Sequence, residues 1–142
     1  MRHRDPLENV AQAECVRLLK SQHLGRIGIV GRDGQPLIFP VNYFFDEGVV
    51  VLRTDPGTKL ELAPEARVSF EIDGWDAAAG QGWSVLVLGL AHDITDPPDA
   101  WAERMRRWPV RPVAPGSRQH WLGVWANQIT GRRFYQEPRP AR

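Results

Sequence analysis

Pro40-Val41-Asn42-Tyr43-Phe44-Phe45-Asp46-Glu47-Gly48-Val49-Val50-Val51-Leu52-Arg53-Thr54-Asp55-Pro56-Gly57-Thr58-Lys59-Leu60 reads as a β-hairpin that runs into a cluster of anion-binding groups. Phe39, Val41, Tyr43 and Phe45 alternate with other side chains, Asp46-Glu47-Gly48 supplies a turn, and Val49 to Leu52 is an apolar, mostly β-branched return strand. Arg53 and Thr54 stand at the end of that strand. Pro56-Gly57 then bends the chain, and Thr58 and Lys59 open a short helical run whose first amides lack intrahelical partners. A guanidinium, hydroxyls, an ammonium and free amides within one loop are the donors that a dianionic phosphate monoester requires. Each charge-assisted bond is worth about 1.5–3 kcal/mol.

Upstream, Pro40 interrupts an otherwise regular strand. Proline donates nothing to a ladder, so this position belongs at an edge, bulge or break whose neighbouring backbone groups are open to a ligand. Asn42 and Tyr43 beside it offer an amide and a phenol. Before them, Gly25 to Val30 alternates as a strand, and Asp33-Gly34 is a hairpin turn signal. From Glu8 to Ser21, Val10, Ala11, Cys15, Leu18 and Leu19 form one stripe of an amphipathic helix expected to cover the barrel.

Downstream, Ala66 to Ile72 alternates, with Val68, Phe70 and Ile72 facing a core. The segment from Asp73 to Gln81, carrying Trp75, is expected to be a loop, and Gly82 to Thr95 the longest strand, bent at Gly89. Asp96-Pro97-Pro98-Asp99 predicts a helix start, with Pro109 as its stop. A proline-rich crossing at 110–117 precedes a last strand that begins near Gln119, with Ile129 to Phe134 after Asn127 as its candidate continuation. Residues 1–7 and 136–142 are expected to be loose tails. Short turns between strands and two peripheral helices argue for a mainly β (α+β) barrel of roughly six strands.

The chain of 142 residues is a single domain by length, with enough mass for its own core. A formal charge of +1 gives no electrostatic basis for binding nucleic acid or a membrane surface. The single cysteine, Cys15, pairs with nothing in the chain and reads as a small buried apolar residue. A charged N-terminus with no apolar run behind it leads to the expectation of a cytoplasmic address. The histidines are scattered, so no metal site is expected. No Gly-x-Gly-x-x-Gly follows a strand, which excludes a dinucleotide-binding α/β sheet.

Gly25-Arg26-Ile27-Gly28, Pro40-Val41-Asn42-Tyr43, Arg53-Thr54-x-x-Gly57-Thr58-Lys59 and Gly82-Trp83-Ser84-Val85-x-Val87-x-Gly89 occur in that order. Together they resemble the pyridoxamine 5'-phosphate oxidase-like, FMN-binding split-barrel family, from about Glu14 to Phe134. The resemblance implies a homodimer of six-stranded split barrels with FMN at the interface and its phosphate on Arg53, Thr54, Thr58 and Lys59. It brings Pro40, Val41, Asn42 and Tyr43 to the ring, with Trp83 and Ser84 and one of Arg132 or Arg133 approaching from the partner. Authentic pyridoxamine phosphate oxidases hold the substrate phosphate with Arg-x-His, whereas this chain has Arg132-Arg133-Phe134. The implied activity is thus oxidation or reduction of another small molecule. Two alternatives share the fold: an F420-dependent reductase, with Arg104, Arg106, Arg107, Arg132 and Arg133 as a basic groove, and a non-catalytic flavin- or haem-binding carrier or sensor, with His120 as the candidate haem ligand.

Overall fold

The computed structural model describes residues 7–54, 57–96, 100, 103–104, 107 and 120–136. Its elements are β1 (Leu7–Val10), α1 (Gln12–Ser21), β2 (Leu24–Val30), β3 (Pro36–Asp46), β4 (Val49–Thr54), α2 (Thr58–Leu62), β5 (Arg67–Asp76), β6 (Gln81–Asp93) and β7 (His120–Tyr135). The sheet order is β1-β7-β4-β3-β2-β5-β6, and β6 pairs back onto β7. Six antiparallel strands therefore close a barrel, and β1 lies outside the ring as an extra strand on β7. The expected helix at 96–108 and the crossing at 110–117 fall largely outside the described residues. No helix among the described residues is long and apolar enough to cross a membrane.

Alternation fixes the barrel's inside. Ile27 and Ile29, Tyr43 and Phe45, Phe70 and Ile72, and Val85 and Val87 all point inward and are buried. The run Val49 to Leu52 does not alternate because both of its faces are covered. Val50 and Leu52 join the main core, while Val49 and Val51 join Ile94, Trp121 and Phe44 in a second cluster on the other side of the sheet. The β3–β4 turn has Glu47 at φ 48° and Gly48 at φ 79°, the left-handed pair that a two-residue hairpin needs. In β6, Gly89 marks a bulge opposite β7. A Cβ there would lie 2.2 Å from the Trp125 carbonyl oxygen, so only glycine permits the approach.

Three expectations are corrected. Helix α1 begins at Gln12 rather than Glu8, because Leu7–Val10 alternates in exposure and pairs with Gly131–Phe134 of β7. At the inner ends of the expected loose tails, Leu7 pairs with Phe134 and the Gln136 N–H bonds the Gly80 carbonyl (2.7 Å), while the rest of those tails, 1–6 and 137–142, lies outside the described residues. The loop foreseen at 73–81 is mostly strand: β5 runs to Asp76, and Trp75 pairs with Gly82 of β6.

Helix α1 packs Cys15, Leu18 and Leu19 onto the barrel. The Tyr43 hydroxyl, fully buried, donates to the Leu19 carbonyl at 2.7 Å. That carbonyl sits in the last turn of α1, where no helical N–H can reach it, so Tyr43 supplies the missing donor. At the other end of the helix, Glu14 accepts bonds from Arg17 and, at 3.0 Å, from Arg133 of β7. The Arg17 bond, followed by the charges of Arg17 and Arg133, outweighs partial burial and lowers the Glu14 carboxyl to about 2.

Candidate functional site

Strand β3 changes partners along its length. Pro36 to Asn42 pair with β2, whereas only Tyr43 to Asp46 pair with β4. Beyond Tyr43 the two strands diverge: β4 continues through Arg53 and Thr54 along β7, opposite Trp121 and His120. Pro40 thus lies on a stretch bonded on one side only, which is where a residue without an N–H is tolerated. Gly57 precedes α2 as its N-cap, and the Lys59 ammonium sits 4.9 Å from the centre of the Phe39 ring. That contact brings the α2 loop against the open edge of β3.

Of the four residues foreseen at the ring edge, Pro40 and Asn42 are exposed and Val41 and Tyr43 are buried, as strand alternation requires. The Tyr43 side chain is committed to Leu19, and burial pushes its phenol well above the usual range. It offers a ligand no free hydroxyl. In the phosphate-binding set, Thr58 is exposed, Lys59 and Arg53 are half-buried, and Thr54 is buried at 5% exposure. The Arg53 guanidinium lies 5.9 Å from the Trp121 ring.

A second group of predicted residues gathers on β6 and β7. Register sets Ser84 opposite Arg132 and Trp83 opposite Arg133. Trp83 and Ser84 point to opposite faces. Trp83 packs on the core and over Gly74, and Arg133 on the same side is bonded to Glu14. Ser84 and Arg132 share the outer face, so the structure distinguishes the two arginines: Arg132 is the exposed one and makes no ion pair among the described residues. The basic groove expected for an F420 tail does not assemble there. Arg104 is paired with Asp46, Arg107 with Glu103 and Arg133 with Glu14, while Arg106 lies outside the described residues.

The two groups stand on one outer face but are not in contact. Pro40, Arg26, Glu71, Leu86 and Thr130 form a single row across β3, β2, β5, β6 and β7. Three inter-strand spacings separate Pro40 from the β6 position next to Ser84, about 14 Å. Between them Arg26 bonds both Glu71 and Asp73 at 3.2 Å. Burial, then the neighbouring Asp73, pushes the Glu71 carboxyl up against the opposing pull of Arg26. Sequence reasoning missed this trio, although the alternation of Arg26 and Glu71 onto wet faces was its available signal. The same outer face carries exposed apolar side chains, Ile38 (71%), Val30 (60%), Leu86 (39%) and Leu88 (38%). A groove of about 760 Å³ lies among Val30, Ile38, Arg67, Leu88 and Gln128. No cluster of three or more His, Cys, Asp or Glu side chains able to hold a metal occurs among the described residues.

A family model described as pyridoxamine 5'-phosphate oxidase matches residues 11–133. The solved structure of an FAD binding protein from Mycobacterium smegmatis is 37% identical, covers 92% of this chain and all of its own, and superposes with a TM-score of 0.78. The uncharacterized protein Rv0080 of Mycobacterium tuberculosis is 37% identical over 90 residues, 59% of each sequence, so the chain spans less than two thirds of that relative's length. An FAD-binding protein from Mesorhizobium loti, 23% identical over 89% of this chain and 97% of its own, shares the fold with a TM-score of 0.69.

Proposed function

Because the chain belongs to the pyridoxamine 5'-phosphate oxidase family, we propose that it binds a flavin, FMN in the first instance, and serves as an oxidoreductase for a small molecule. The observation that carries this is the divergence of β3 from β4, which leaves an open strand edge facing a loop of phosphate donors. The chemistry of those donors fits the group: Arg53, at the end of β4 beside Trp121, and Thr58 and Lys59, at the start of α2 with Lys59 beside Phe39, offer the guanidinium, hydroxyl and ammonium that suit phosphate oxygens. Bound there, a flavin would supply the electron transfer. The chain's own contribution is to anchor the phosphate, to offer unpaired backbone along Pro40 to Asn42, and to shield one side of the ring.

FAD is the second reading, because the M. smegmatis protein is described as binding it. The phosphate on its riboflavin half would use the same loop. F420 has less support, since the arginines that would hold its tail are mostly paired with carboxylates.

Ser84 and Arg132 are too far from Pro40 to grip the same ring edge from one chain. A second copy supplies them in this proposal, with the exposed apolar strip of Val30, Ile38, Leu86 and Leu88 as the contact. The protein is accordingly proposed to work as a homodimer, in the cytoplasm.

The test is the absorption spectrum of the purified protein, with the released cofactor identified by mass. Flavin bands and a mass of FMN or FAD are expected. A Soret band, or a colourless protein that takes up F420 but neither flavin, would sink the proposal. Sedimentation of the flavin-loaded protein as a monomer at micromolar concentration would remove the shared site.

A further inference from the structure

At the far end of β5, β6 and β7, register sets Trp75 opposite Gly82 and Gly82 opposite Phe134. Gly82 leaves a gap between them, and both rings lean into it. A Cβ on Gly82 would lie 2.1 Å from Phe134 Cε2 and 2.8 Å from Trp75 Cε3. The rings are nearly parallel, 16° apart in plane and 6.0 Å between centres. They remain open to solvent, Trp75 at 54% and Phe134 at 36%.

Filling the gap over a glycine accounts for the lean of the rings. It does not account for the cation beside them. Arg132 lies two residues from Phe134 on the same face, across from Ser84, and has no ion pair among the described residues. Asp73, on the row that contains Ser84 and Arg132, is bonded to Arg26 instead. A solvent-open pair of stacked rings, flanked by a guanidinium with no ion pair among the described residues and by a hydroxyl, is complementary to a ligand that extends the stack at one end and is anionic at the other.

We propose that Trp75, Phe134 and Arg132 form a stacking site for a heteroaromatic ring that carries a phosphate. Two sources share this chemistry: the adenylate half of FAD, or a separate nucleotide-like substrate. Only the first rests on the flavin reading. Trp75 and Phe134 read the ring face, and Arg132 the phosphate.

The experiment is calorimetric titration of the full chain with AMP, adenosine, FAD and FMN. Wild type is compared with Trp75→Ala, Trp75→Phe and Arg132→Gln, each checked by circular dichroism and sedimentation. Trp75→Ala should weaken AMP about tenfold, within the range for loss of one base–aromatic stack, and Trp75→Phe should restore most of it. Arg132→Gln should weaken AMP while leaving adenosine unchanged. If the adenylate belongs to FAD, Trp75→Ala weakens FAD equally and spares FMN. If it is a separate ligand, only the AMP loss appears. The proposal is overturned if wild type binds no AMP at millimolar concentration and holds FAD no tighter than FMN. Unchanged AMP affinity in folded Trp75→Ala also overturns it, as does a variant that falls apart into monomers while its AMP affinity persists. If Trp75→Ala does not fold, Arg132→Gln decides by the same AMP loss or its absence. Failure of every flavin to bind would defeat the proposed function alone, because the AMP titrations still report on this surface.

Discussion

Replacing Tyr43 by Phe separates a structural from a ligand-binding role for a residue that the sequence places beside the cofactor. The ring stays: its edge-on contact with Phe70, 4.7 Å between centres, does not involve the hydroxyl. What goes is one buried bond to the Leu19 carbonyl, leaving that oxygen buried at the end of α1 with no donor. The loss is about 1–3 kcal/mol, the cost of a buried polar group left unsatisfied. With 142 residues and about 2.1 cal/mol/K each, the unfolding entropy is about 0.3 kcal/mol/K, so the melting temperature should fall by about 3–10 °C. The assay is thermal unfolding followed by circular dichroism on cofactor-free protein, paired with flavin titration of the same sample. Flavin affinity should stay within about twofold, since the hydroxyl points into the core. The pH dependence gives an independent check. Burial raises the phenol's folded value above its ordinary one, so the tyrosine's advantage is complete below about pH 10 and declines as pH climbs beyond it. An unchanged melting temperature together with a tenfold loss of flavin affinity would refute the reasoning and return Tyr43 to the ring edge.

Arg53→Ala and Lys59→Ala should each weaken FMN by about ten- to a hundredfold in titrations while barely affecting riboflavin, which lacks the phosphate. Equal binding of FMN and riboflavin by wild type would discard the phosphate loop. Glu14 has a folded value of about 2 against an ordinary 4.5, so its contribution to stability is present above 4.5 and lost as pH falls toward 2. Acid melts of Glu14→Gln should differ from wild type at neutral pH and converge with it near pH 2. The Glu71 carboxyl is shifted the other way, so its ionisation costs stability as pH rises above the ordinary carboxylate value, and Glu71→Gln should flatten that decline in melts taken from pH 4 to 7. Gly89→Val would drive a side chain into the Trp125 carbonyl, which belongs to backbone and cannot swing aside, so soluble yield and strand content should both collapse.

The parts of the fold legible in the sequence are those encoded locally. The hairpin turn at Asp46-Glu47-Gly48 announces itself through Gly48, which takes its positive φ without steric cost between two apolar runs, and Val68, Phe70 and Ile72 declare an inward face by alternation alone. The extension of β5 through Trp75 is hidden by its composition. Asp73-Gly74-Trp75-Asp76 looks like a loop, and becomes strand because β6 supplies ten consecutive register partners from Gln81 to Leu90. Strand β1 is equally invisible, since four residues of mixed polarity acquire a ladder only from the far end of β7, more than a hundred residues away.

The candidate site divides along the same line. Arg53 to Lys59 can be picked out because its chemistry is contained in one loop. Tyr43 and Trp83 look like ligand contacts in the sequence, yet alternation along β3 and β6 turns each inward, and the docked α1 then takes the Tyr43 hydroxyl through Leu19 and holds Arg133 through Glu14. The same alternation leaves Arg132 exposed on the opposite face, beside Ser84. Helix α1 does not choose between the two arginines; it engages the one that alternation already turns to the inner side of β7. A chain in which Glu14 no longer held Arg133 would keep Arg132 where strand alternation puts it. The outward cation is set by register, and the ion pair only removes its competitor.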